Sequence, residues 1–204
     1  MNDLVRLADP VPGFMPAEEG LALHAAALVA PAGPLLEIGS WCGKSAVYLG
    51  TAARARNSVL FTVDHHRGSE ENQPGEQYHD PRFVDPQTGQ VDTLPCLRQT
   101  LRLTQLEDCV IVVVGKSDLV ASNWQARLGL VFIDGGHSLP AVRADYDGWA
   151  PHLVPEGLLA IHDVFPNPAD GGRPPFEVYE LARASGDFEE VSATGSLRVL
   201  RKMR

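Results

Sequence analysis

Short apolar runs recur along the chain at Leu35–Ile38, Ser58–Val63, Cys109–Val114, Gly129–Ile133 and Leu158–Ile161. Runs of this length, rich in Val, Ile and Leu, predict buried parallel strands, and CVIVVV at Cys109–Val114 predicts a fully buried one. Between them, apolar residues step by three or four, which predicts helices. The first covers Ala17 to about Ala30, with Leu21, Ala25 and Leu28 as its periodic positions. Others run from Lys44 to about Arg56, from Asp92 to Leu106, from Ser117 through SDLVASNWQAR, and from about Phe176 to Ala184. Leu139, Val142, Tyr146, Trp149 and Leu153 mark one face of a further helix, and Pro155-Glu156-Gly157 reads as a turn. Two closing strands follow, near Phe188–Val191 and Ser196–Leu200. The alternation predicts an α/β fold: a Rossmann-like, doubly wound, mostly parallel seven-stranded sheet with helices on both faces, as one domain over residues 1–204.

Two segments break the pattern. Residues 1–16 form an arm rich in proline and glycine, and Phe14 and Met15 in it could cap a site or pack on a second copy of the chain. Residues 65–91 form a long polar loop holding three histidines, His65, His66 and His79. A loop of that length in a compact domain is normally a lid or a binding loop.

Composition narrows the function. The chain has 204 residues and a net charge of −9, which disfavours nonspecific binding to nucleic acid or to an anionic membrane. Three cysteines, Cys42, Cys96 and Cys109, show neither an even count nor metal-type spacing, so a reducing cytoplasmic setting is expected. No apolar run approaches a membrane span, and the N-terminus lacks a signal core.

The first strand and its sequel, LLEIGSWCGKSAVY at Leu35–Tyr48, carry the strongest local signal. A strand, a glycine-broken turn and a helix start aim free backbone N–H groups at the crevice beyond the strand end. Gly39 and Gly43 are expected to let a ligand approach closely. A dinucleotide fingerprint fails for want of a second glycine at the required position. A Walker A loop fits Gly43-Lys44-Ser45, but Gly39 is one residue too close. Glu37 beside the turn suits a ligand with a cationic or hydroxyl-bearing part.

Further polar residues end the other strands. Asp64 closes the second, where an acid commonly takes both ribose hydroxyls of a nucleoside. Asp134, with His137 shortly after it, closes the fourth, and His162-Asp163 closes the fifth. Ligands bind beyond the C-terminal ends of parallel strands, so these groups converge on one pocket. Two adjacent carboxylates repel unless a cation or proton lies between them, and Mg²⁺ is one solution. His137 is a candidate general base. His65 and His66 adjoin Asp64 and are candidate substrate contacts. Ser117 is a candidate adenine contact and also a candidate helix N-cap.

The pieces LLEIGSWCGKS, FTVD, LVFIDGGH and WAPHLVPEGLLAIHD, in this order from Leu35 to Asp163, resemble class I S-adenosylmethionine-dependent methyltransferases. The resemblance is to the small bacterial group of metal-dependent sugar and macrolide O-methyltransferases. It implies that Glu37, Gly39, Ser40, Gly43 and Ser45 hold the methionine and ribose part of S-adenosylmethionine. It implies that Asp64 takes the ribose hydroxyls, that Ser117 meets the adenine, and that Asp134 belongs to the cofactor site as well. It places Asp134, His162 and Asp163 at magnesium-ligand positions, although relatives carry an acid where His162 stands. Asp134 and His137 are the implied catalytic pair. The implied reaction is Mg-assisted methyl transfer to a hydroxyl of a small saccharide, such as the 1-hydroxyl of 3-O-methylated mannosides, in polysaccharide biosynthesis by a protein that could be a homodimer. Two other readings stand beside it: a P-loop-like nucleotide hydrolase or kinase, and a non-catalytic cofactor-binding domain.

Overall fold

The computed structural model describes residues 3–204. Seven strands form one sheet: β1 (Leu35–Ile38), β2 (Leu60–Asp64), β3 (Val110–Val114), β4 (Leu128–Ile133), β5 (Leu153–Ile161), β6 (Phe188–Thr194) and β7 (Leu197–Lys202). Their order across the sheet is β3-β2-β1-β4-β5-β7-β6. The first five strands run parallel, and β7 pairs antiparallel with both β5 and β6. The chain therefore reverses direction of travel between β1 and β4, and the switch point opens beside these two strands.

The pleat sends alternate residues to opposite faces. On one face Leu130 and Phe132 of β4 pack under α1 (Asp3–Ala8), α2 (Ala17–Val29), α3 (Lys44–Ala55) and α4 (Leu94–Leu103). On the other, Val131 and Ile133 pack under α5 (Ser117–Ser122), α6 (Leu139–Trp149) and α7 (Pro174–Ala184). All four residues of β1 are buried, as expected for a strand covered on both sides.

Several expectations change, and the helix expected through SDLVASNWQAR stops at Ser122, short of Trp124. The arm carries a helix, α1, whose Leu4 and Ala8 join the core, as do Val11 and Met15 after it. The run Cys109–Val114 is not fully buried, because β3 is an edge strand; Ile111 is 43% and Val114 56% exposed. Pro155-Glu156-Gly157 lies inside β5, where the register with β4 shifts between Leu128 and Leu130 and Glu156 adopts a φ of 65°. A bulge of this kind absorbs extra residues without ending the strand. Leu153 begins β5 instead of ending α6. In α2 the buried positions are Glu19, Gly20, Leu23 and Ala27, whereas Leu28 faces solvent. Gly20 decides this rotation: a Cβ there would collide with the Tyr48 ring of α3, so α2 seats its glycine on that ring and turns Glu19 inward.

Candidate active site

The loop after β1 is held by Asp64 at the end of β2. Asp64 Oδ2 accepts hydrogen bonds from the backbone N–H groups of Ser40 and Trp41, both at 3.0 Å, and Oδ1 accepts from His66 N–H at 2.7 Å. Those loop amides, expected to aim at a ligand, are thus turned onto the neighbouring strand end. The glycines also serve differently from expectation. Gly39 (φ 92°) lies against the backbone of Asp134 and Gly135, and Gly43 (φ 89°) faces Leu97 and Thr100 of α4. Their bare faces admit protein packing and left-handed backbone.

Glu37 lies beneath this loop, fully buried. Thr62 Oγ1 donates to its Oε2 at 2.5 Å, and Ser40 Oγ hydrogen-bonds Thr62 in turn. Burial pushes the carboxyl up to about 7, against the pull of Ser45 and Thr62. Glu37 Oε1 is buried without a well-formed hydrogen bond. An orphaned acceptor under a strand-end loop is the feature a cationic or hydroxylated ligand would satisfy.

The second cluster forms at the ends of β4 and β5. His162 Nδ1 lies 3.0 Å from Asp134 Oδ1 and 3.5 Å from Asp163 Oδ2. Its other nitrogen, Nε2, lies 2.6 Å from Glu19 Oε2. Glu19 in turn accepts from the Ser196 backbone N–H at 2.6 Å. His137 bridges Glu71 of the long loop (Nδ1 to Oε1, 2.8 Å) and Asp163 (Nε2 to Oδ2, 2.9 Å). The latter contact is close but bent, so charge holds it more than direction does. The result is an alternating chain of carboxylates and imidazoles running from α2 through β5 and β4 to the long loop.

The electrostatics follow from this alternation. Burial opposes charge on His162, but the Asp134 carboxylate, with Asp163 and Glu19, holds the imidazole far above its ordinary range. Burial likewise opposes charge on His137, and Asp163 and Glu71 raise it to about 10. Asp163, half-buried, is held below the usual carboxylate range by the two histidines, against the opposing effect of desolvation. Opposite charges in a low-dielectric setting favour both ionised forms.

The structure brings Asp134, His137, His162 and Asp163 together, as the sequence predicts. Glu37, Ser40, Ser45 and Asp64 also gather at the adjoining strand ends. The remaining candidates stand apart. Ser117 is the first residue of α5; its hydroxyl accepts from Trp149 Nε1 at 2.8 Å and also bonds Asp145 of α6. Burial raises that Asp145 carboxyl to about 6. His65 is exposed, while His66 is buried and bonded to Thr93 at 2.8 Å. The long loop is a folded strap: it contains two short 3₁₀ turns, Glu70–Asn72 and Pro81–Phe83, and a bridge between Val84 and Val91. Sequence reasoning missed Glu19, Glu71 and Asp145. Glu19 resembles any acid in a first helical turn, and its inward aim shows only once Gly20 is seen against Tyr48.

Asp134, His162 and Asp163 each offer a ligand atom, all within 4.8 Å of one another. Two carboxylates suit a hard divalent cation. The imidazole suits one provided its far nitrogen is held by a carboxylate, as Glu19 holds it here. Of the three donors, the imidazole is the least suited to magnesium.

The profile of a family described as a methyltransferase domain matches residues 36–164, more than half of the chain. The chain belongs to this methyltransferase family. Its fold is shared with several solved methyltransferases. The O-methyltransferase NovP superposes with a TM-score of 0.69 at 15% identity, over 92% of this chain and 80% of NovP. TomG, an O-methyltransferase from Streptomyces achromogenes solved with SAM, gives 0.67 at 16% identity, over 99% and 87%. PaMTH1, a methyltransferase from Podospora anserina solved with SAH, gives 0.70 at 13% identity, over 100% and 89%. The class I methyltransferase fold and a methyltransferase role are borne out. The nucleotide-hydrolase reading is disfavoured, and Lys44, its would-be phosphate lysine, packs its stem against Gly13 of the arm. Among the described residues no helix is long and apolar enough to cross a membrane.

Proposed function

We propose that this chain transfers the methyl group of S-adenosylmethionine to a hydroxyl of a small saccharide, with Mg²⁺ assistance. The observation that carries this reading is the meeting of two clusters at the C-terminal ends of the parallel strands. One holds the buried Glu37 carboxyl, whose Oε1 lacks a well-formed hydrogen bond, and the other an acid and imidazole chain beside it.

In this reading Glu37 Oε1 takes the methionine ammonium of the donor, and Ser40, Ser45 and the loop between Gly39 and Gly43 enclose that part. Asp64 takes the ribose hydroxyls, giving up one or more of the loop amides it now holds. Asp134 is assigned to the donor, Ser117 to the adenine on the resemblance, and His65 and His66 to the acceptor; His66 would first have to leave Thr93. The sulfonium is already an activated electrophile, so the protein must chiefly align oxygen, methyl carbon and sulfur. Asp134 and Asp163 would hold the divalent cation, joined by His162 Nδ1 once the cation displaces its proton, and the cation would lower the pKa of a bound acceptor hydroxyl.

His137 is the base in this scheme, and its neighbours set its charge. Held at about 10 between two carboxylates, it carries its proton at neutral pH. Separation from Asp163 removes a partner that raises it, and the imidazole then falls toward the range where a base works best. Glu71 keeps the ring oriented.

Among saccharides, the 1-hydroxyl of a short 3-O-methylated mannoside is the acceptor to try first, on the resemblance carried by residues 35–163. The chain works as one domain, supported by the single sheet with cores on both faces. A cytoplasmic setting is supported by its three free cysteines. A homodimer is supported by the exposed aromatic pair Phe14 and Tyr78, whose rings meet edge-on at 5.4 Å. The test is methyl-donor turnover against methylated mannosides, other sugars and catechols, with Mg²⁺ and after chelation. Turnover of a mannoside that is lost on chelation and restored by Mg²⁺ supports the reading. A preference for catechols overturns the saccharide assignment, and retained turnover after chelation removes the cation.

A further inference from the structure

Two of the three cysteines face each other across the boundary between the donor loop and α4. Cys42 stands between Trp41 and Gly43 and is fully buried. Cys96 is the third residue of α4 and is partly exposed. Cys96 lies one helical turn before Thr100, on the same face of α4, and Thr100 bonds the Cys42 carbonyl, so Cys96 stands beside the donor loop at Cys42. The two segments are already fastened side by side: Thr100 Oγ1 donates to the Cys42 carbonyl at 2.7 Å, and Gly43 packs on Leu97. The thiol pair therefore sits on a rigid seam, with no long side chain needed to bring the sulfurs together.

We propose that Cys42 and Cys96 are a peroxide-sensitive dithiol whose closure to a disulfide locks the donor loop onto α4. The surroundings divide the labour between the two. Cys96 lies in the first turn of a helix, where the macrodipole favours a thiolate, and Arg82 adds positive charge nearby. The neighbouring Cys42 thiol and Arg82 hold Cys96 below its ordinary value, whereas Cys96 and burial hold Cys42 above it. Solvent thus reaches the more acidic thiol, and the buried one is reached through it. The Cys96 thiolate attacks a peroxide oxygen, the O–O bond breaks, and Cys96 becomes a sulfenic acid while water leaves. The Cys42 sulfur then attacks the Cys96 sulfur; the S–O bond breaks and a second water leaves. One hydrogen peroxide is reduced for each pair of thiols oxidised.

The consequence for methyl transfer rests on the proposed donor site. Asp64 has to release the amides of Ser40 and Trp41 to take the ribose, and a loop tied at Cys42 resists that movement. Oxidation is therefore expected to weaken donor binding reversibly. Cys109 is an internal control, because its thiol is buried and points to the Gly50 carbonyl at 3.5 Å.

The experiment treats the full chain with stoichiometric hydrogen peroxide, maps peptides without reduction, and titrates the reduced and oxidised forms with S-adenosylmethionine. Expected is a Cys42–Cys96 cross-link lighter by two hydrogens, reversed by dithiothreitol, with Cys109 still free. Donor affinity is lower in the oxidised form and recovers on reduction. Cys96→Ser should bind the donor as the reduced protein does and keep Cys42 unmodified at the same dose. A sulfinic acid at Cys96 beside a free Cys42 overturns the dithiol. Unchanged affinity across a formed disulfide overturns the lock. Absent donor binding in the reduced protein contradicts the methyltransferase assignment and leaves the cross-link result to decide the dithiol alone.

Discussion

His162 Nε2 stands 2.6 Å from Glu19 Oε2, joining the residue that follows β5 to the first turn of a helix 143 positions earlier in the chain. Both side chains are nearly inaccessible to solvent, at 4% and 5%. A buried imidazolium with an acid at each nitrogen has no freedom to turn. Glu19 thereby fixes which nitrogen of His162 faces Asp134 and Asp163. Glu19→Gln should destabilise the protein by about 3–5 kcal/mol, the usual result of removing one partner from a buried ion pair. Denaturant unfolding measures this. Glu19→Gln with His162→Gln should recover part of the loss, since no unpaired charge is then left inside.

That relationship shows where the sequence runs out. The strand endings are legible because parallel strands leave strong apolar runs and their termini must converge. Glu37, Asp64, Asp134 and His162-Asp163 follow from that rule alone. Glu19 does not, because the alanines within α2 blur its apolar stripe; the contact between Gly20 and Tyr48 sets its rotation. Glu71 stays hidden for a different reason, as one acid among several in a polar loop with no periodicity. The edge position of β3 is equally invisible locally, since CVIVVV would suit an interior strand as well.

Replacing His137 by alanine should lower turnover about 100-fold or more, the scale of general acid–base catalysis, while donor affinity stays the same. Steady-state kinetics paired with donor titration separates the two. Equal turnover in the variant removes His137 from the reaction.

The same histidine shapes stability with pH. Its folded value, raised to about 10, exceeds the ordinary imidazole value of about 6.5. The stability it contributes is complete below about 6.5 and declines as pH rises toward about 10. Thermal melts over that window should fall for the parent chain and fall less for His137→Asn. Asp163, depressed, acts in the opposite sense: its contribution is present above the ordinary carboxyl range and is lost as pH falls through its folded value.

Gly39→Ala should damage the fold before it damages chemistry. A Cβ there collides with the Asp134 carbonyl, and a φ of 92° costs an L-residue about 1–3 kcal/mol on its own. A lower melting temperature in the ligand-free protein checks this. Normal stability with lost donor binding would instead mean that a ligand lies against the bare face of Gly39.

Calorimetric titration with S-adenosylmethionine, repeated across pH and with ATP as the comparison ligand, tests the central claim most directly. Glu37 is held up to about 7 by burial, and a cationic ligand needs it ionised. Saturable one-to-one binding that strengthens as pH rises toward about 7 and then levels is predicted, with Glu37→Gln flattening that dependence and ATP giving no comparable heat. Tighter binding of ATP, or donor affinity indifferent to both pH and Glu37, would contradict it.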